Sequence, residues 1–319
     1  MSTKTPQDHN IEEEQLFTNL RASAWDEFFG QERVKDALHI SLEAAKTRGE
    51  AVDHMLLYGP PGLGKTTLSH LVAKEMNSTL RMTNGTALTK VADLAAILTN
   101  LQERDVLFID EIHRLPKVIE ETLYPAMEDF ALDIVIGKGP SARTVRLELP
   151  HFTLVGATTR YGLLSGPFRD RFGIVHRLEY YDPAALAVII ERASQKLELS
   201  LSKVVKHELA KRSRGTPRIA LRMLKRLRDY ATLANTQTIE PKLLEKALAD
   251  LQIDHRGLDP HDRRYLEILK SQFKGKPAGL QALAAALQED PGTIEEVIEP
   301  YLMQLGLVHR TAKGRVLTE

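Results

Sequence analysis

The 319-residue chain contains no cysteine. Disulfides and thiolate metal sites are thereby excluded, and the absence suits a reducing compartment. Long hydrophobic runs are missing too. No apolar stretch approaches the roughly 18 residues that a membrane helix needs. Residues Met1–Gln15 are polar and acidic, lack the basic-then-apolar pattern of a signal peptide, and read as a loose arm. A cytoplasmic protein is the expectation. Net charge is also lacking, since 43 Lys+Arg balance 43 Asp+Glu. A neutral total argues against nucleic acid, but the distribution does not. Residues 1–181 carry a net charge of −5 and residues 182–254 a net of +5, with 255–319 balanced. The basic middle includes Lys211, Arg212, Arg214, Arg218, Arg222, Lys225, Arg226 and Arg228. Solvated helix faces account for most such charges.

What is present centres on Gly59-Pro60-Pro61-Gly62-Leu63-Gly64-Lys65-Thr66. This is the G-x-x-x-x-G-K-[ST] phosphate-binding loop. An apolar run, His54 to Tyr58, leads in as a strand, and Thr67 to Glu75 leads out as a helix. Glycines let the backbone curl so that its N–H groups face phosphate oxygens. The helix N-terminus adds partial positive charge. Lys65 is placed to neutralise the β/γ oxygens and Thr66 to ligate Mg²⁺. Downstream, Asp105-Val106-Leu107-Phe108-Ile109-Asp110-Glu111-Ile112-His113 is a buried strand ending in two carboxylates. Ligands of open α/β sheets bind at such strand ends. Asp110 is then set to hold Mg²⁺ through water, and Glu111 to orient and polarise the attacking water. His113 is either a sensor of nucleotide state or a polar strand-end residue, the second being the commoner situation.

Three domains follow from the pattern. Residues 1–181 alternate strands and helices, including the apolar strand Thr153 to Thr159 and amphipathic helices Val34–Arg48 and Val91–Leu101. The fold class is α/β, a parallel sheet flanked by helices. Residues 182–254 read as a small helical domain with helices Ala184–Leu197, Lys203–Ser213, Ile219–Ala234 and Pro241–Leu251, and no strands. Residues 255–319 begin with a linker and then give helices His261–Phe273, Leu280–Leu287 and Thr293–Leu305. A two-stranded ribbon around Lys313-Gly314 follows. That is the winged-helix pattern. Within the first domain, 132–149 forms a hairpin around Gly137-Lys138-Gly139-Pro140. Its Ile134, Ile136, Val145 and Leu147 offer more apolar surface than an isolated hairpin should expose.

In this order the motifs resemble the AAA+ ATPases, and among them the bacterial RuvB family of Holliday-junction branch-migration motors. The resemblance runs over nearly the whole chain. It is carried by Asp53–Thr67, Asp105–Leu115, Leu123–Asp129, Gly156–Arg160, Phe168–Gly173, Arg214–Arg218 and Glu299–Leu302. It implies an ATP-driven motor that moves duplex DNA to migrate Holliday junctions in recombination and repair. It also implies a homo-hexameric ring, a RuvA-like junction-binding partner docked on hairpin 132–149, and a RuvC-like resolvase. ATP and Mg²⁺ are the implied cofactors.

By the same resemblance Thr159 is sensor 1, Arg171 the arginine finger acting on a neighbouring subunit's nucleotide, and Arg218 sensor 2. Leu20, Arg21, Gly62, Gly64, Lys65, Thr66, Thr67, Tyr181, Glu128, Asp129 and Phe130 border the nucleotides. Ala22 stands where the family usually has Pro. Arg218 has independent support: Thr216 is a good N-cap and Pro217 a good first helical residue, so Arg218 falls in a first turn. A cation there opposes the helix dipole unless an anion is near. Arg310 and Arg315 are the implied DNA contacts. The helix before them carries Glu295, Glu296 and Glu299 and no Lys or Arg, which suits backbone contact by the wing rather than base reading. Two other readings fit a phosphate loop with a DNA-binding domain. One is another AAA+ machine such as a clamp loader, and the other a nucleotide-gated DNA-binding regulator that does not translocate.

Overall fold

A computed structural model describes residues 19–136 and 143–318. They form two compact units. One is drawn from Met1–Ala185 with Thr216–Arg218, the other from Leu186–Gly215 with Ile219–Glu319.

The first unit has seven strands among its described residues: β1 (Met55–Tyr58), β2 (Leu80–Asn84), β3 (Val106–Asp110), β4 (Ala131–Ile136), β5 (Arg143–Glu148), β6 (Thr153–Thr158) and β7 (Ile174–Arg177). Five make one parallel sheet in the order β2-β3-β6-β1-β7. The interior strands β1, β3 and β6 are buried almost throughout. They are the continuous apolar runs of the sequence, as a sheet covered on both faces requires. The edge strands β2 and β7 are partly exposed and carry polar residues. No apolar run marks them, which is why pattern alone overlooks them.

Helices Val91–Leu98 and Lys117–Glu128 bury Leu94, Leu98, Ile119 and Leu123 in one cluster with Leu107, Ile109 and Leu154 of the sheet. Helix Glu32–Arg48 buries Val34, Leu38, Leu42 and Ala45, a single stripe at helical spacing.

The antiparallel pair β4/β5 is the expected hairpin, whose turn, 137–142, lies outside the described residues. Its apolar face is rooted in the unit's own core. Leu132 is fully buried, Ile134 and Leu147 pack against the same cluster, and Val145 is 37% exposed. Much of the surface expected to be on offer is therefore used internally. The Ile136 side chain lies outside the described residues.

In the second unit helices Lys203–Arg212, Pro217–Leu233 and Pro241–Asp250 follow the helix Pro183–Lys196. The strand-free expectation for this region needs one correction. β8 (Ser200–Leu201) and β9 (Thr238–Ile239) form a short parallel pair. Two residues are too few to leave a periodicity.

Helices Pro260–Ser271 and Leu280–Leu287 come next, then a helical run over 291–304 whose centre, Ile294–Ile298, is π-wound. Asp290 starts that run early, because its carboxylate accepts from the Gly292 and Thr293 N–H groups. The wing is β10 (Val308–Thr311) against β11 (Gly314–Leu317), with Arg310 opposite Arg315. Arg315 also exchanges both backbone hydrogen bonds with Ala278, at 2.8 and 2.9 Å. Gly314 (φ 131°) is required there, since a Cβ would lie 2.4 Å from the Ala278 carbonyl oxygen.

Arg214 ties the start of this winged-helix segment to the helical segment before it. Its Nη2 meets Asp259 at 2.9 Å and Asp262 at 2.5 Å, and its Nε donates to the Gly257 carbonyl at 3.0 Å. Asp262 is fully buried. Burial pushes it up to about 6, against the pull of Arg214 and of the Asp259 N–H, with the charges of Asp259 and Asp254 pushing the same way as burial. A carboxyl raised above its unfolded value stabilises the fold when protonated. That contribution is complete below about pH 4 and is lost as pH rises through about 6. Urea unfolding of wild type and Asp262→Asn across pH 4.5 to 6.5 should show it. The wild-type unfolding free energy should fall more steeply with rising pH, by at most about 1.4 kcal/mol per pH unit. Parallel profiles would show that Asp262 titrates normally.

Candidate functional site

The carboxyl ends of β1, β3 and β6 bring the nucleotide-site candidates together. The loop after β1 has left-handed backbone at Gly59 (φ 139°), Gly62 (φ 79°) and Gly64 (φ 104°). A Cβ at Gly59 would sit 2.4 Å from the Leu178 carbonyl oxygen. One at Gly62 would sit 2.8 Å from Arg218 Cβ. Arg218 therefore abuts the loop, and its backbone N–H points to the Gly62 carbonyl at 3.4 Å. Thr66 and Thr67 lie in the first turn of helix Lys65–Glu75.

The Lys65 ammonium is buried and donates to the carbonyls of Gly59 (2.8 Å) and Pro60 (2.9 Å). Burial holds its pKa below the usual lysine range, while Glu111 and Asp110 pull it back up and Arg218 adds to the lowering. Those couplings gather Lys65, Asp110, Glu111 and Arg218 around one place. Tyr181 closes another side. It is buried, and its hydroxyl donates to the Leu63 carbonyl at 3.2 Å. Burial pushes its pKa far above the usual phenol value. Leu20 is buried, and Arg21 is close enough to Lys65–Glu75 to lower the pKa of His70, though burial lowers it more. Phe28, which pattern did not single out, would lie 3.0 Å from a Cβ at Gly64.

At the end of β3 the Asp110 carboxylate accepts the Glu111 N–H at 3.0 Å. The Thr159 hydroxyl donates to Glu111 Oε2 at 3.2 Å. His113 joins them. Its side chain is nearly buried, with Nδ1 3.1 Å from Glu111 Oε2 and 2.9 Å from Thr158 Oγ1. The bland expectation for His113, a polar residue in a strand-end loop, thus understates its position. The signal was its place two residues after Glu111. The missing information was that β3 and β6 are neighbours.

The remaining candidates form a separate group. Arg171 pairs with Glu128 at 3.2 Å, donates to the Pro167 carbonyl at 2.6 Å and lies over the Tyr124 ring, 4.0 Å from its centroid. Asp129 pairs with Arg146 at 2.8 Å. The Phe130 ring stacks near His151 and Phe152.

The wing arginines belong to a third cluster, in the second unit. Glu299 is fully buried between them. It accepts from Arg310 Nε at 2.7 Å, Arg315 Nε at 2.8 Å and the Tyr265 hydroxyl at 2.9 Å. Glu295 accepts from Arg315 Nη2 at 2.7 Å. The Arg310 side chain keeps 41% exposure and that of Arg315 only 12%. Two of the acidic residues on the preceding helix are therefore the arginines' partners.

Models of known families match the chain from residue 20 onward. The Holliday junction DNA helicase RuvB P-loop domain covers residues 20–178, the RuvB AAA lid domain 181–254 and the RuvB C-terminal winged helix domain 255–319. The chain belongs to the RuvB family. A Holliday junction branch migration complex subunit RuvB from a Nitratiruptor species is 55% identical over 96% of this chain and 91% of its own length. The Helicobacter pylori protein of the same description is 54% identical over 94% and 89%. The solved structure of the Thermotoga maritima RuvB Holliday junction branch migration motor superposes with a TM-score of 0.85. It shares 48% identity and covers 94% of this chain and 96% of its own. Membership of a P-loop family means that the chain binds nucleotide. No described helix is long and apolar enough to cross a membrane.

The geometry yields a chemical expectation. Lys65→Ala should abolish ATP binding, because the ammonium group buried inside the loop is removed. Glu111→Gln should bind ATP normally and hydrolyse it about a hundredfold or more slowly. Nucleotide-binding fluorescence beside steady-state phosphate release separates the two effects. A near-normal rate in Glu111→Gln would reassign the base.

Proposed function

We propose that this chain is an ATP-driven motor that migrates Holliday junctions by translocating duplex DNA, in the cytoplasm, during recombination and repair. The observation that supports this most strongly is a phosphate loop with an adjoining carboxylate–hydroxyl cluster, in a chain matched by RuvB models from residue 20 to 319. The domains are taken as 1–181, 182–254 and 255–319. A winged helix at the end of the chain disfavours a clamp loader, which would carry a helical collar there.

In this reading Lys65, the loop N–H groups and Arg218 bind the β- and γ-phosphates. Thr66 and Asp110 would hold Mg²⁺. One hydroxyl and one carboxylate suit an ion that shares its shell with water and substrate phosphates. The ion would offset phosphate charge. Glu111 orients water, and Thr159 fixes Glu111 and the γ-phosphate end. Leu20, Arg21 and Tyr181 border the nucleotide. Arg171, Glu128, Asp129 and Phe130 are assigned to the nucleotide of a neighbouring subunit in a hexameric ring, consistent with their lying in a separate group. Hairpin 132–149 is assigned to a RuvA-like partner through its outer part, where Val145 emerges. A RuvC-like resolvase would act on the same junction.

The test is migration of a synthetic four-way junction with ATP, with and without a RuvA-like protein. ATP-dependent strand exchange that depends on Lys65 supports the motor. Junction binding with no displacement under any nucleotide favours the regulator instead.

The wing makes its own prediction. Replacing both arginines would leave the buried Glu299 carboxylate with no cation and only the Tyr265 hydroxyl as donor, at a cost of about 3–5 kcal/mol. The cleaner variant is Arg310→Gln, which keeps Arg315 on Glu299. It should weaken binding to duplexes of any sequence. It should also make the slope of log affinity against log salt shallower, by about 0.9 for each subunit whose residue 310 no longer touches a phosphate. Weakening confined to one sequence would point to base reading.

A further inference from the structure

We propose that His113 is a positioning residue for Glu111, fixing the direction in which that carboxylate presents its free oxygen. The proposal rests on Glu111 being the carboxylate that orients water. It begins with the backbone. Glu111 adopts a left-handed conformation (φ 46°, ψ 47°), uncommon for a residue with a Cβ. Neighbours hold it there: the Asp110 carboxylate takes its N–H, and Gly85 lies so close that a Cβ would be 2.5 Å from the Glu111 carbonyl oxygen. Gly85 is itself held, its N–H donating to the Asp110 carbonyl at 2.8 Å. Such strain persists only where surroundings over-determine it, and here it sets where the side chain departs.

The side chain is then held at one oxygen. Both the Thr159 hydroxyl and His113 Nδ1 address Glu111 Oε2. That leaves Oε1 to accept from water. The tautomer follows from the contacts. A bare Nδ1 lone pair 3.1 Å from a carboxylate oxygen would repel it, so Nδ1 carries the proton, donating it to Thr158 Oγ1 at 2.9 Å while facing Glu111 Oε2 at ion-pair distance. Thr158 Oγ1, 2.9 Å from the same nitrogen, accepts the Arg160 N–H and is anchored in β6. The imidazole therefore bridges the ends of β3 and β6 through a single atom. Thr158 and Thr159 reach this pair as consecutive residues, one through His113 and one directly. A carboxylate with only Thr159 as donor could swing about that bond. The Nδ1–H dipole beside Oε2 restricts that freedom.

The test is a double-mutant cycle read under single turnover, with ATP affinity measured separately by a fluorescent ATP analogue. His113→Ala should lower the hydrolysis rate about tenfold, the scale at which outer hydrogen-bond partners act. ATP affinity should be unchanged. His113→Asn, whose amide nitrogen can stand near the Nδ1 position, should recover most of the rate. His113→Gln, whose amide reaches toward Nε2 instead, should not. In a Glu111→Gln background the His113→Ala effect should vanish, because partners acting as a unit are non-additive. An equal His113→Ala effect in both backgrounds, or lost ATP affinity at normal rate, overturns the proposal. If His113→Ala does not fold, the Asn and Gln variants decide: equal rates overturn it. A normal rate in Glu111→Gln alone overturns the Glu111 assignment, and this inference with it.

Discussion

The site depends on three parallel strands ending side by side. β1, β6 and β3 are neighbours, with Met55 level with Val155, and Val155 level with Phe108. Each is buried along its length, so its register is fixed by packing on both faces. Wherever the strands stop, the next residues must stop together. Gly59, Glu111 and Thr159 are those residues. A slip of one residue in β6 would put Thr158 where Thr159 now meets Glu111. The catalytic candidates thus owe their distances to Leu56, Phe108 and Val155 as much as to their own side chains.

What the sequence revealed follows from the same constraint. Buried interior strands leave continuous apolar runs, so β1, β3 and β6 were legible, and Lys65, Asp110 and Glu111 with them. β2 and β7 lie at the sheet edges, where the exposed Arg81 and the half-buried His176 interrupt the run. Interactions that depend on two distant segments were harder. The His113–Thr158 contact spans 45 positions. Nothing local to either residue announces it. Arg310 and Arg315 were legible as cations near a turn. Their shared partner Glu299 was visible only as an acid on the preceding helix, where it seemed merely to discourage base reading.

Positive charge is handled differently in the two places. Lys65 is buried against backbone carbonyls, with carboxylates near but not in contact, so its charge stays available to an arriving anion. At the wing the charges are already matched: two arginines face Glu295 and Glu299. An exposed guanidinium edge remains on Arg310, while Arg315 is largely enclosed. The first arrangement suits a small, highly charged ligand enclosed by backbone. The second suits a long polyanion touched lightly and released.

The enclosed Glu299 has a consequence for heredity. Its carboxylate is satisfied by Arg310, Arg315 and Tyr265, three residues from three other elements. A missense change at Arg315, the more enclosed of the two arginines, removes one of the two cations that offset that buried carboxylate, and the damage appears as a shortage of folded protein before any defect in DNA handling. In a living cell the marginal chain would be removed by quality control. Variation at this arginine is therefore filtered by abundance, and its mutant phenotypes should respond to temperature and chaperone supply.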